Sequence, residues 1–316
     1  MITALHRPLA GRLHGAWTAL ITPFDNDELD LDTFRELIEH QIASGVSGLL
    51  ACGSTGETPA LTDDEFRQVI ESAIATSDGR VPVMVGTGTN ATATTIERTR
   101  IAHSLGADAV LVVAPPYNKP TQDGIFAHMA AVAGSTPLPI VLYNVPGRTA
   151  TDMHAETIVR LSRVPGIVGV KEASGDLDRS SYIARHADPE FALFSGDDAL
   201  TLPIMSVGGR GVISVAGNVA PATVSRLTTA TLRGDMLEAR GLHLELVDLN
   251  RALFVETNPI PVKAAAAMLG FGAGEMRLPL LPATTQTIET LNRALRTVEE
   301  TAIALRRSRP EMRPTI

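Results

Sequence analysis

Short runs of Val, Ile, Leu and Ala recur along the chain at even intervals: 16–21, 48–52, 82–85, 109–113, 139–143, 167–170, 191–194 and 211–215. Each is bounded by Gly, Pro or Asp. Runs that are apolar throughout, instead of alternating, predict strands buried on both faces, as in a parallel sheet. Between them lie amphipathic stretches with helical spacing: 34–43, 63–75, 92–105, 121–133, 153–161, 176–185, 200–207 and 221–233. Asp32 is placed to cap the first, and Thr62 with Glu65 predicts a capping box at the second. Eight strands alternating with eight helices predict an α/β fold of the (β/α)8, or TIM barrel, type. A doubly wound open sheet is the runner-up, weakened because no G-x-G-x-x-G follows the first strand.

The pattern changes near Gly234. Residues 236–253, 261–269 and 282–307 read as helices with no strand between them. The predicted organisation is a barrel over 1–233 with a short N-terminal extension, then an all-α region over 234–316 ending in a loose tail from 309. These last helices are expected to serve packing and assembly, with no part in chemistry.

Composition narrows the function. The 27 basic and 35 acidic residues give a net charge of −8, which argues against a nucleic-acid partner. Cys52 is the single cysteine, so no intrachain disulfide or cysteine-rich zinc site is available. The eight His show no H-x-H or H-E-x-x-H spacing, and no metal site is expected. Neither a G-x-S-x-G elbow nor a Walker A loop is present. No apolar run approaches the ~18 residues of a membrane span, and the first residues lack the apolar stretch of a signal peptide. A cytoplasmic enzyme with no membrane partner is expected.

Of the 27 basic residues only three are Lys: Lys119, Lys171 and Lys263; the three Tyr are Tyr117, Tyr143 and Tyr182. In a barrel the functional face is the C-terminal end of the strands. Lys171, Lys119, Tyr143 and Tyr117 all fall there. Lys171 directly continues the sixth strand. A lysine there is desolvated, which lowers its pKa and frees the amine for Schiff-base chemistry on a carbonyl. Pairing with Glu172 is the bland alternative, and it is awkward because adjacent strand residues point to opposite faces. Tyr143, on the neighbouring strand at similar height, is placed to shuttle protons. Ser54 and Thr55 lie in a glycine-flanked turn whose N–H groups suit a carboxylate. Arg148, in a Pro-Gly loop, suits a bidentate carboxylate, with simple solvation of a loop arginine as the bland alternative. Cys52 reads as a small core residue, Lys119 as a loop residue, and Lys263 has no evident role.

Taken in order, G-A-W-T-A-L-I-T-P-F at 15–24, G-S-T-G-E at 53–57, G-T-G-T-N at 86–90, P-Y-N-K-P at 116–120, Y-N-V-P-G-R-T at 143–149, V-K-E at 170–172, S-G-D-D at 195–198 and G-V-I-S-V at 211–215 resemble the dihydrodipicolinate synthase family, class I pyruvate aldolases that include N-acetylneuraminate lyase. The resemblance spans roughly 13–300. It implies a lyase in which Lys171 forms a Schiff base with pyruvate and no cofactor is needed. Tyr143 would be proton donor and acceptor, in a relay with Thr55 and with Tyr117 lent by an adjacent subunit. The active unit would then be a dimer, usually within a homotetramer. Ser54, Thr55, Gly196 and the Ile213 main chain would contact substrate. Arg148 matches the arginine that binds the carboxylate of aspartate semialdehyde, implying synthesis of 4-hydroxy-tetrahydrodipicolinate on the lysine and diaminopimelate route.

Two departures qualify the resemblance. Ser54 replaces the usual Thr, keeping the hydroxyl. At the positions that bind lysine in inhibited relatives, Thr58, Pro59, Asp63, Phe66, Asn90, Thr94 and Pro116, only Asn90 fits, so weak or absent lysine inhibition is expected. The alternative in the same class is another pyruvate aldolase or dehydratase acting on a sugar acid or keto acid. The alternative from a different class is a non-catalytic binding protein on a retained barrel.

Overall fold

Eight strands pair in parallel and close on themselves: β1 (Gly15–Ala19), β2 (Gly48–Ala51), β3 (Val83–Gly86), β4 (Ala109–Val113), β5 (Ile140–Asn144), β6 (Ile167–Glu172), β7 (Ala192–Ser195) and β8 (Gly211–Ser214). The computed structural model describes residue 9, residues 11–301 and residue 303. The tail expected from 309, the end of the helix expected to reach 307 and most of the N-terminal extension lie outside the described residues. Closure rests on β1, which pairs with both β2 and β8. Gly211 opposes Gly15 there, and a Cβ on residue 211 would fall 2.0 Å from the Gly15 carbonyl oxygen. The seam therefore closes only around glycine at 211.

Alternate residues of each strand feed two apolar layers, which is why the strand runs are apolar throughout. Leu49, Val110, Val112, Ile140, Leu142 and Val170 face the helices. Trp17, Leu50, Met84, Leu111, Phe194 and Ile213 fill the barrel interior, with Trp17 meeting Phe194 edge-on at 6.4 Å between ring centroids.

One irregularity sets the register of the site. Ile140 pairs with Ile167, but Val141 pairs with Gly169, leaving Val168 as an extra residue on β6. Beyond this bulge Tyr143 stands opposite Lys171. In an unbulged ladder Tyr143 would face Val170, and Lys171 would be out of step with it.

Element ends depart from the sequence reading where capping or packing intervenes. The first helix is Leu31–Ala43, and its cap is Asp30, whose Oδ1 accepts from the Thr33 N–H at 2.9 Å. Asp32 sits inside the first turn and pairs with Arg35. Leu31 packs on the core, which draws the helix start back. The capping box at Thr62 and Glu65 forms as expected, on the helix Asp63–Ser77. The stretch 236–253 is two helices, Met236–Glu245 and Val247–Ala252, that meet at the buried Leu246. The last predicted helix is interrupted: it begins at Thr285, because the Thr284 hydroxyl caps it, stops at Ala294, and helical backbone resumes at residue 299. A two-stranded hairpin, Phe24–Asp25 with Glu28–Leu29, follows β1 with no counterpart in the sequence reading. Among the described residues no helix is long and apolar enough to cross a membrane.

Candidate active site

Lys171 is the penultimate residue of β6 and is only 4% exposed. Its Nζ lies 4.5 Å from the centroid of the Tyr143 ring. Burial pulls the amine down from its ordinary value to about 8; the Asp198 carboxylate opposes this and the Arg148 charge adds to it. Glu172 points the other way. Its carboxylate accepts from the Ser174 N–H at 2.7 Å and from Asn144 Nδ2 at 3.2 Å, so it does not pair with the lysine. Room for the lysine stem comes from Gly196. A Cβ there would come within 3.0 Å of Lys171 Cγ and 2.7 Å of Ala173 Cβ.

Tyr143 is buried in the barrel interior. Burial pushes its phenol up to about 12, with Arg148 and the Ser54 hydroxyl acting in the opposite sense. A protonated phenol beside an amine that is partly neutral is a pair able to pass a proton in either direction.

The G-S-T-G-E segment forms two consecutive tight turns, Ser54–Gly56 and Thr58–Ala60, joined at Glu57 with a left-handed φ of 52°. Thr22 and Thr58 lock it: Thr22 Oγ1 donates to the Gly56 carbonyl at 2.8 Å and Thr58 Oγ1 to the Gly53 carbonyl at 3.0 Å. This holds Thr55 buried and leaves Ser54 exposed. Arg148 lies on the single helical turn Pro146–Thr149 after β5, solvent-exposed, with Nη2 donating to the Asn258 carbonyl at 3.0 Å. Ile213 is fully buried on β8. The turn beyond it is pinned by the buried Asp198 carboxylate, which accepts from Ser214 Oγ and from the N–H groups of Val215 at 2.9 Å and Ala216 at 3.1 Å.

Above the strand ends lies a cavity of ≈ 620 Å³ whose wall includes Ser54, Tyr143, Arg148 and Asn258. Tyr143 is on the wall and Lys171 is not; the two meet at the Tyr143 ring. Tyr117 stands apart: it is 87% exposed, on a strained loop with φ of 74°, and its N–H donates to the Thr149 carbonyl at 3.1 Å. Ser54, Tyr143 and Arg148 thus share the cavity wall; Lys171 lies against the Tyr143 ring and Gly196 against the lysine stem, Thr55 and Ile213 are buried off the wall, and the Tyr117 ring projects into solvent. Among the described residues no group of three or more His, Cys, Asp or Glu is gathered to hold a metal ion.

The expectation that the C-terminal helices stay out of this region is corrected. Asn258, on the segment before the helix Ile260–Met268, donates from Nδ2 to Thr55 Oγ1 at 3.0 Å, across 203 residues of sequence. Thr257 to Pro259 and Arg277 to Leu280 form part of the cavity wall. The one available signal was the polar E-T-N between Val255 and Pro259, set among apolar helices. Lys263 also has a place: its Nζ lies 2.6 Å from Glu57 Oε1, with both side chains 2% exposed.

Comparison with known proteins adds a family. The profile of the dihydrodipicolinate synthetase family matches residues 12–298. The 4-hydroxy-tetrahydrodipicolinate synthase of Thermomicrobium roseum is 48% identical over 295 residues, spanning 93% of this chain and 98% of that protein. Among solved structures, dihydrodipicolinate synthase from Thermotoga maritima superposes with a TM-score of 0.89 at 42% identity, covering 92% of this chain and 99% of that one. The chloride-inhibited enzyme of Acinetobacter baumannii, solved with pyruvate, gives a TM-score of 0.89 at 40% identity, covering 90% and 98%.

Proposed function

The chain belongs to the dihydrodipicolinate synthetase family, and we propose that it condenses pyruvate with L-aspartate 4-semialdehyde to 4-hydroxy-tetrahydrodipicolinate through a Schiff base on Lys171. The observation that carries this reading is the buried Lys171–Tyr143 pair, with an amine near pKa 8 and its Nζ 4.5 Å from the phenol ring centroid.

The chemistry follows from the groups present. The neutral Lys171 amine adds to C2 of pyruvate, and Tyr143 delivers the proton that lets the carbinolamine lose water. The resulting iminium withdraws electrons from C3, so the Tyr143 phenolate takes a C3 proton, which restores the phenol, and an enamine forms. The enamine carbon attacks the aldehyde carbon of the second substrate, and the aldehyde oxygen takes a proton from Tyr143. The substrate's own amine then attacks C2, closes the ring and displaces Lys171. The iminium is the electron sink, so the sequence of steps uses no separate cofactor.

Ser54 and Thr55, with the Ile213 main chain, hold the pyruvyl group. Gly196 keeps the lysine's approach free. Arg148, at the cavity mouth, takes the carboxylate of the aldehyde. Tyr117 completes the proton relay in the site of a second copy of the chain, which its exposed ring and outward loop support, so the active unit is a homo-oligomer.

Borohydride reduction in the presence of pyruvate tests this directly. A stable adduct is expected on the peptide containing Lys171 and on neither Lys119 nor Lys263. Absence of an adduct, or one that survives Lys171→Ala, overturns the assignment.

A further inference from the structure

Among the described residues, Lys263 and Glu57 form the most deeply buried ion pair. Both side chains are 2% exposed and the contact is 2.6 Å. The Lys263 ammonium also lies 4.2 Å from the centroid of the Phe24 ring, which Arg277 approaches at 4.3 Å. Glu57 Oε2 accepts from the Arg277 N–H at 3.3 Å. The pair joins two segments that are far apart in sequence. Glu57 lies two residues beyond Thr55, in the strained left-handed conformation that links the two turns. Lys263 lies on the first turn of Ile260–Met268, five residues beyond Asn258.

Those segments meet a second time at the cavity. Asn258 Nδ2 donates to Thr55 Oγ1 at 3.0 Å, and the Asn258 carbonyl accepts from Arg148 at 3.0 Å. Asn258 Oδ1 is buried and has no partner. Desolvating two charges is costly, and such a pair adds little stability over an apolar one. A buried pair here is better explained by what it fixes in place.

We propose that Lys263 and Glu57 are positioning residues, whose ion pair holds the Asn258 segment against the Thr55 turn, itself locked by Thr22 and Thr58, and thereby sets Arg148, through the Asn258 carbonyl, for the aldehyde half of the reaction. This rests on the Schiff-base reading above. The two buried lysines then have separate roles. Lys171 bonds to substrate, while Lys263 is held by Glu57 and acts only through the residues it places. Misplacing a reacting group by about 1 Å costs up to about a hundredfold in rate.

The test is the double variant Lys263→Met/Glu57→Gln. It removes both charges and keeps an acceptor for the Arg277 N–H. Folding is checked by thermal unfolding, and two activities are read. Borohydride trapping of pyruvate on Lys171 should persist within a few-fold of wild type. Turnover with aspartate semialdehyde should fall about ten- to a hundredfold, with KM for the aldehyde raised. Lys263→Arg, which keeps the charge but moves it off Glu57, should show the same split to a smaller degree. Turnover within twofold of wild type in a folded variant overturns the proposal. Loss of folding in both variants assigns the pair to stability alone, and also overturns it. Failure of the wild-type protein to trap pyruvate overturns the Schiff-base reading instead, so the two failures are distinguishable.

Discussion

Tyr143 and Lys171 are register partners on adjacent strands, brought opposite each other by one extra residue on β6, and the lysine Nζ lies 4.5 Å from the tyrosine ring centroid. The bulge at Val168 turns two separate rim residues into one contacting pair. Lys171 makes no such pair with its sequence neighbour: Glu172 is engaged by Asn144 and Ser174 on the opposite face.

Tyr143→Phe keeps the ring and its packing and removes the proton. Stability should be nearly unchanged. Steady-state turnover should fall about 10²–10⁴-fold, the usual contribution of a positioned acid–base. Pyruvate trapping on Lys171 should slow, yet remain detectable at long times. Turnover within a few-fold of wild type would remove Tyr143 from the reaction.

Trapping of pyruvate should depend on pH through Lys171. The neutral amine is the nucleophile, so the rate should climb as pH rises toward about 8 and level off above it. Arg148 depresses that amine, so Arg148→Ala should move the midpoint to higher pH. The same variant should raise KM for the carboxylated aldehyde about ten- to a hundredfold, since it loses a charge-assisted contact worth ~1.5–3 kcal/mol. A midpoint that moves down, or an unchanged KM, counts against the role given to Arg148.

Complementation tests the lending of Tyr117. Tyr117→Phe and Lys171→Ala proteins should each be strongly impaired alone. Mixed, dissociated and reassembled, they should recover about a quarter of wild-type activity, the statistical yield of pairs with one intact site. No recovery on mixing places Tyr117 in its own chain's site, or outside the reaction.

Lysine should inhibit weakly or not at all. Phe66 carries no polar atom for a ligand, is buried, and lies under Arg98 at 5.2 Å. Thr58, Pro59 and Pro116 on the cavity wall bring no ionisable group. Inhibition by micromolar or low-millimolar lysine in a steady-state assay would contradict this.

The strand–helix alternation, the two-sided burial of the strands and the rim on which Lys171, Tyr143, Ser54, Thr55 and Arg148 stand are all legible in the linear chain. These are local properties: a run of Val and Ile, a capping threonine and a lysine at a strand end each leave their mark within a few residues. The Tyr143–Lys171 register emerges only on folding, because a one-residue bulge is invisible to hydrophobic pattern. So do the reach of Asn258 to Thr55 across 203 residues and the hold of Glu57 on Lys263 across 206. Contacts at that separation follow from how the C-terminal helices fold over the barrel mouth, which no periodicity in the chain encodes.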